Sequence, residues 1–157
     1  MRVNLTITLY RRLAVWLLPF LVLLPVSNPA YADCQATVSL VDFGQLDLDK
    51  GSNVNGEVIV TCDQPARFNL ALSAGLGDFR LRKMLGSDGG ELLYNLFVDP
   101  GRRSIWGDGV SGGTQTIRGE NDGRRPSIVP IYGIVPSRQS VLTGAYRDDL
   151  LVTVEKL

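Results

Sequence analysis

Two spacings with chemical meaning overlap in one short stretch. Gly107-Asp108-Gly109-Val110-Ser111-Gly112 has the form G-x-G-x-x-G, in which glycines let a backbone approach a dinucleotide pyrophosphate. Gly109-Val110-Ser111-Gly112-Gly113 has the form G-x-S-x-G, the sharp turn that presents a nucleophilic serine. Each needs a context that the chain withholds. The phosphate fingerprint joins a strand to a helix within a βαβ unit, and no helix-period segment follows Gly112. A serine nucleophile needs a base, and the chain contains no histidine. A glycine-rich loop between strands meets both patterns by chance.

The acidic residues Asp99, Asp108, Glu120, Asp122 and Asp148 could pair for glycoside hydrolysis or hold calcium. Each sits in or beside a turn, where Asp is common because its carboxylate bonds nearby amides, and no D-x-[DN]-x-[DN]-G loop is complete. They read as turn residues and solvated charges. Trp106, between Ile105 and Gly107, reads as a packing anchor, with a surface role as the alternative. No catalytic, cofactor-binding or metal-ligating set can be assembled, so the chain is not read as an enzyme.

Cys34 and Cys62 are the only cysteines. Their meaning depends on compartment, and the N-terminus supplies it. Arg2, Arg11 and Arg12 precede an apolar stretch from Leu13 to Val26, and Ala30-Tyr31-Ala32 is a small-x-small cleavage site. That order is a secretory signal peptide over residues 1–32, cleaved after Ala32. The stretch is short of the roughly 20 residues that span a bilayer, and Pro19 and Pro25 interrupt it, so no membrane span is expected in the mature protein. In an exported chain the two cysteines are most simply a disulfide, closing a loop of about 29 residues and worth roughly 3.5 kcal/mol. Metal ligation would need further ligands, and a redox pair is usually C-x-x-C.

Leader removal leaves residues 33–157, the size of one domain. It takes three arginines and no acidic residue, so 13 basic face 16 acidic residues and the net charge is −3. A mildly acidic domain with no basic run is a poor binder of nucleic acid.

The elements that must position these residues are short and alternating. One face of Glu57–Cys62 carries Val58, Val60 and Cys62, and one face of Arg67–Leu72 carries Phe68, Leu70 and Leu72. Gln35–Val41, Leu92–Asp99, Ile128–Val135 and Asp149–Val154 behave alike, with weaker runs at Thr114–Ile117 and Ser140–Val141. Phe79–Leu85 is the best helical candidate and amounts to a turn or two. All 17 glycines follow residue 32, nearly all between these runs. The pattern predicts an all-β antiparallel sandwich or barrel. In the last run Leu150, Val152 and Val154 share one face, and Leu151, Thr153 and Glu155 the other, with no return strand after them. A half-buried strand with a free edge needs a neighbour or becomes a template for another chain.

The chain resembles the spore coat protein U domain, the type found in subunits of archaic chaperone–usher pili. The residues that carry the resemblance run in order: Cys34, Phe43-Gly44, Val58-Ile59-Val60-Thr61-Cys62, Leu72-Ser73-Ala74-Gly75, and Arg82 with Met84. Leu93-Tyr94-Asn95-Leu96-Phe97-Val98-Asp99, Ile105-Trp106-Gly107-Asp108-Gly109 and Val129-Pro130-Ile131-Tyr132-Gly133-Ile134 follow. Gly144-x-Tyr146-x-Asp148 then leads into Leu151-Val152-Thr153-Val154. The resemblance implies an incomplete immunoglobulin-like sandwich whose final strand is supplied in trans. A periplasmic chaperone would fill the gap first and the extension of a neighbouring pilin subunit would replace it at the outer-membrane usher. Leu150, Val152 and Val154 would line one side of the acceptor groove, and Val38 and Leu40 the other. The protein would pass through the periplasm to the cell surface. Polymerising pilins of this type carry about a dozen residues before the first cysteine, enough for a donor strand. Here only Asp33 would separate Ala32 from Cys34, which points to a tip-proximal or terminating subunit. Two other readings stay open: a self-complete secreted coat, matrix or binding protein, and an extracellular hydrolase or carbohydrate binder.

Overall fold

Alternation in the chain becomes alternation in burial. In the computed structural model Val58, Val60 and Cys62 are buried while Glu57 and Thr61 are exposed, and Phe68, Leu70 and Leu72 are buried on the next strand. The structure describes residues 33–39 and 41–157, with the backbone pairing of Asn4–Leu5. The signal-peptide expectation, its cleavage at Ala32 and the groove residue Leu40 lie outside the described residues.

Eleven strands are described. They are β1 (Asn4–Leu5), β2 (Cys34–Val38), β3 (Ser52–Cys62), β4 (Pro65–Leu72), β5 (Arg82–Gly86) and β6 (Glu91–Phe97). β7 (Ile117–Asp122), β8 (Ser127–Val135), β9 (Tyr146–Arg147), β10 (Asp149–Leu150) and β11 (Val152–Lys156) complete them. Six form one sheet in the order β2-β3-β8-β6-β5-β9, and three form a second in the order β11-β4-β7. Every ladder in these sheets is antiparallel. The all-β antiparallel sandwich expected from the alternation is what the chain adopts. Its core joins Val58, Val60, Ile131, Leu92 and Leu96 to Phe68, Leu70 and Leu72.

Two elements differ from the sequence reading. Phe79–Leu85 is not helical: a turn over Asp78–Leu81, held by Asp78 accepting from the Arg80 and Leu81 amides, leads into β5. Leu81, Met84 and Leu85 lie at helical spacing, but Leu85 points outward at 48% exposure while Arg82 and Met84 point in. A charged residue on the inner face hid the strand. The weaker run at Thr114–Ile117 is likewise displaced, since β7 starts at Ile117 and continues to Asp122. Its inner face reads Ile117, Gly119, Asn121, which carries little apolar signal.

Gly119 is there for space. It pairs with Phe68 across the β4–β7 ladder, and a Cβ would collide with the end of the Phe68 ring. Asn121 then ties the two sheets together, its side-chain nitrogen reaching Val60 O at 3.1 Å on β3. Gly119→Val is therefore expected to lower stability by about 1–3 kcal/mol through overpacking. Urea denaturation of the two proteins measures this, and an unchanged midpoint would refute it.

Candidate functional site

Each sheet runs out at a strand of the same neighbourhood. The six-stranded sheet ends at β2 and the three-stranded sheet at β11, and among the described residues no ladder joins them. β2 is secured to β3 by the cross-strand pair Cys34–Cys62, which forms a disulfide with Cα atoms 4.1 Å apart. β11 is secured to β4, from Val152 opposite Leu72 to Lys156 opposite Phe68. Beside β2 and the short strand β10, which leads into β11, lies a small apolar cleft lined by Val38, Leu72, Leu96, Trp106, Ile131 and Leu150. Its open volume is about 10 Å³, too little for an ordered water with polar partners.

Val38 and Leu150 both line this cleft. Val152 is buried and Val154 half-buried on the same face of the terminal strand, while Leu151, Thr153 and Glu155 are exposed. The edge of β10 bears a short parallel pairing with β1, Asn4 opposite Asp149 and Leu5 opposite Leu150.

Trp106 forms part of the floor. It is fully buried, and its indole Nε1 donates to Leu70 O at 3.1 Å, which makes it the packing anchor expected. The glycine-rich stretch beyond it folds as a loop with a short 3-10 turn over Ser111–Gly113. Asp108 accepts from the Val110 and Ser111 amides at 2.9 and 2.7 Å and from Thr114 Oγ1 at 3.0 Å. Hydrogen bonds from Ser111 and the Val110 amide hold its carboxyl well below the ordinary carboxylate range. Asp99, bonded by the Ser104 and Arg103 amides, and Asp122, bonded by the Arg125 and Arg124 amides, are lowered in the same way. Glu120 meets Arg67 at 2.9 Å on the exposed surface, a pair of little energetic weight. These four acids serve their own turns and surface.

Asp148 does not. It was expected as a solvated turn residue, and it is 1% exposed. Tyr94 donates its hydroxyl to Asp148 Oδ2 at 2.6 Å, and the Leu76 amide donates to Oδ1 at 3.1 Å. Facing this pair is Arg82, 0% exposed. Its Nη1 donates to Asn95 Oδ1 at 2.6 Å, and its Nη2 donates to Ser73 O at 2.9 Å and to Trp106 O at 2.7 Å. The guanidinium also lies 5.4 Å from the centre of the Phe79 ring, within cation–π range. Burial lowers the Arg82 pKa to about 10 and raises that of Tyr94, while the Asp148 charge opposes the first shift. Burial also raises the pKa of Asp148, against the hydrogen bonds it accepts and the attraction of Arg82.

The sequence reading missed this cluster as a cluster. Arg82, Tyr94, Asn95 and Asp148 all stand among the residues that carry the family resemblance, but they come from separated segments and nothing local marks them as buried partners. A charged residue two positions from Met84, on a strand too short to show its period, was the available signal.

The family model for the Spore Coat Protein U domain matches residues 21–153. None of the curated proteins matches the chain. Among solved structures, the chain is similar to one in the crystal structure of the CsuC–CsuE chaperone–tip adhesion subunit pre-assembly complex from archaic chaperone–usher Csu pili of Acinetobacter baumannii. The identity is 21% and the TM-score 0.57, over 80% of this chain and 40% of that one. At that identity the likeness is one of fold, and it spans two-fifths of the neighbour's length.

The buried carboxyl has a pH signature. Because its folded-state pKa is raised, the native state holds the proton more tightly than the unfolded chain does. The resulting stability is present below about pH 4 and lost as pH rises through the folded-state pKa. Asp148→Asn removes that titration while keeping an acceptor for Tyr94. The stability of the variant relative to wild type is therefore expected to climb with pH across this window. Urea melts at stepped pH measure it, and parallel profiles would count against the assignment.

Proposed function

Because the chain belongs to the Spore Coat Protein U domain family, we propose that it is an exported structural subunit of a chaperone–usher pilus that accepts a strand from a partner. One observation carries the reading: among the described residues no ladder joins β2 to β11, and an apolar cleft lined by Val38 of β2 and Leu150 of β10 lies beside them. An added strand there would gain main-chain hydrogen bonds along a free edge and set alternate side chains against the cleft, the physics of strand addition. Val38, Leu150, Val152 and Val154 would be the acceptor residues, with Leu40 as a further candidate. The parallel pairing of Asn4–Leu5 on Asp149–Leu150 supports the idea that this edge takes strands.

The partners are a periplasmic pilus chaperone, then the usher and a neighbouring pilin subunit, the last supplying the permanent strand. Residues 33–157 would be one domain, released after Ala32 into the periplasm and carried to the surface in the fibre, where an adhesive role is open to it. With only Asp33 ahead of Cys34, the subunit would receive a strand without donating one, which suits a tip-proximal or terminating position. N-terminal sequencing of the exported protein tests this: ten or more residues ahead of Cys34 would sink it.

The small volume of the cleft favours a second reading, a self-complete secreted protein whose walls already meet. Stability in isolation separates the two. Exported without a chaperone, the strand-accepting protein should aggregate or be degraded, and a chaperone or strand peptide should rescue it. Val154→Asp, at the half-buried end of the edge, should abolish the rescue. A soluble, reversibly folding monomer indifferent to added strands would favour the second reading.

A further inference from the structure

We infer that Arg82 is a positioning residue for the strand-accepting cleft, holding its floor in shape while the edge is empty. The inference rests on the strand-accepting reading and adds to it a device inside the sandwich.

The three acceptors of the guanidinium are each one residue from, or part of, the cleft lining. Ser73 O follows Leu72, Asn95 precedes Leu96, and Trp106 O belongs to the floor itself. The same three segments are stitched together by main-chain bonds. The Trp106 amide donates to Leu96 O at 2.9 Å, and the Leu72 amide donates to Gly107 O at 3.1 Å. The Leu96 amide donates to Asn95 Oδ1, the oxygen that Arg82 also grips.

The fourth lining segment is β10, and it enters through Asp148, two residues before Leu150. Asp148 is fixed by Tyr94 and attracted by Arg82. Beyond it, the Ser73 amide donates to Leu151 O, and the Leu151 amide donates to Ser73 Oγ, both at 2.9 Å. Four separate stretches of chain thus meet at one planar cation from behind the cleft.

An inserted strand would contact these segments from the front and hold them together itself. Without one, the sheet ladders fix each lining strand to its neighbours, and the network behind them adds side-chain bonds from one planar cation to three of these segments. Lysine could not replace the arginine, since a point charge with a tetrahedral head lacks the flat fork that reaches three acceptors. Among the described residues the Arg82 Nε meets no hydrogen-bond partner, so the position bears a buried donor that a purely structural role would not favour.

The test separates association from dissociation. The full chain is produced, exported and purified as wild type, Arg82→Met, Arg82→Lys and Asp148→Asn. Binding of a synthetic peptide of about ten residues alternating Val and Thr is followed by Trp106 fluorescence, the other tryptophan being in the leader. Preorganisation raises the fraction of protein competent to bind. Arg82→Met should therefore slow association about tenfold and leave dissociation within about twofold of wild type, with Arg82→Lys between them. A merely structural role predicts faster dissociation instead. Equal association rates for wild type and Arg82→Met overturn the inference alone. If wild type takes up no peptide, the strand-accepting reading falls and the inference with it. Should Arg82→Met fail to fold, Asp148→Asn decides, since it removes the charge facing Arg82 and keeps the Tyr94 bond: slowed association supports the role and an unchanged rate overturns it.

Discussion

A guanidinium taken out of water sets the terms for much of this sandwich. Removing such a cation from solvent costs several kcal/mol even after relaxation, and the cost is offset only where geometry and hydrogen bonds are good. Arg82 meets that demand with a carbonyl on each of two loops, a side-chain amide on β6 and an aromatic face at Phe79, and it is further attracted by the charge of Asp148. Each partner must be delivered to a fixed place, so the 73–81 connection, the 105–107 turn and the approach to the terminal strand are constrained together. Gly75 sits so close to Asp148 that a side chain there would strike the carboxylate. A hydrophobic core tolerates sliding; this cluster does not.

Around that point the rest of the architecture answers a different problem, the disposal of sheet edges. A strand at an edge exposes a row of unpaired amides and carbonyls and invites pairing with another chain. β7 closes back toward β3 through the Asn121 side chain, and β5 is covered by β9. The seam between β2 and β11 receives no such treatment among the described residues. Both of its strands are instead fastened on their other sides, one by the disulfide to β3 and the other by a five-residue register with β4. The seam is thus bordered by two strands that are each anchored on their far side.

The sequence and the structure agree where burial follows alternation. Val58-x-Val60-x-Cys62 and Phe68-x-Leu70-x-Leu72 announced their strands and inner faces, and Leu150-x-Val152-x-Val154 its inner face, though the run expected as one strand breaks at Leu151 into β10 and β11. They disagree where something other than apolarity decides the inner face. In β5 the inward residues are Arg82, Met84 and Gly86, and in β7 they are Ile117, Gly119 and Asn121. Arginine is inward because partners exist for it, glycine because Phe68 needs the room, asparagine because Val60 O needs a donor. Each reason is a neighbour distant in the chain. β3 likewise begins at Ser52, before the apolar run, because Val135 to Ile131 lies alongside to pair with it.

By itself, then, the sequence determined the class of fold, the disulfide partners, the inner faces of the apolar strands and the amphipathic character of the chain's end. These follow from local composition, since alternation, turn residues and an exported pair of cysteines need no distant partner to be read. Only the tertiary structure decided that Val38, Leu150 and Trp106 line one small apolar cleft, and that Asp148 is a buried partner of Tyr94 rather than a solvated turn acid. The physical reason is that the state of a polar group depends on what surrounds it. A carboxylate or a guanidinium is buried when several segments bring it partners together, and that convergence exists only once the sheets have packed.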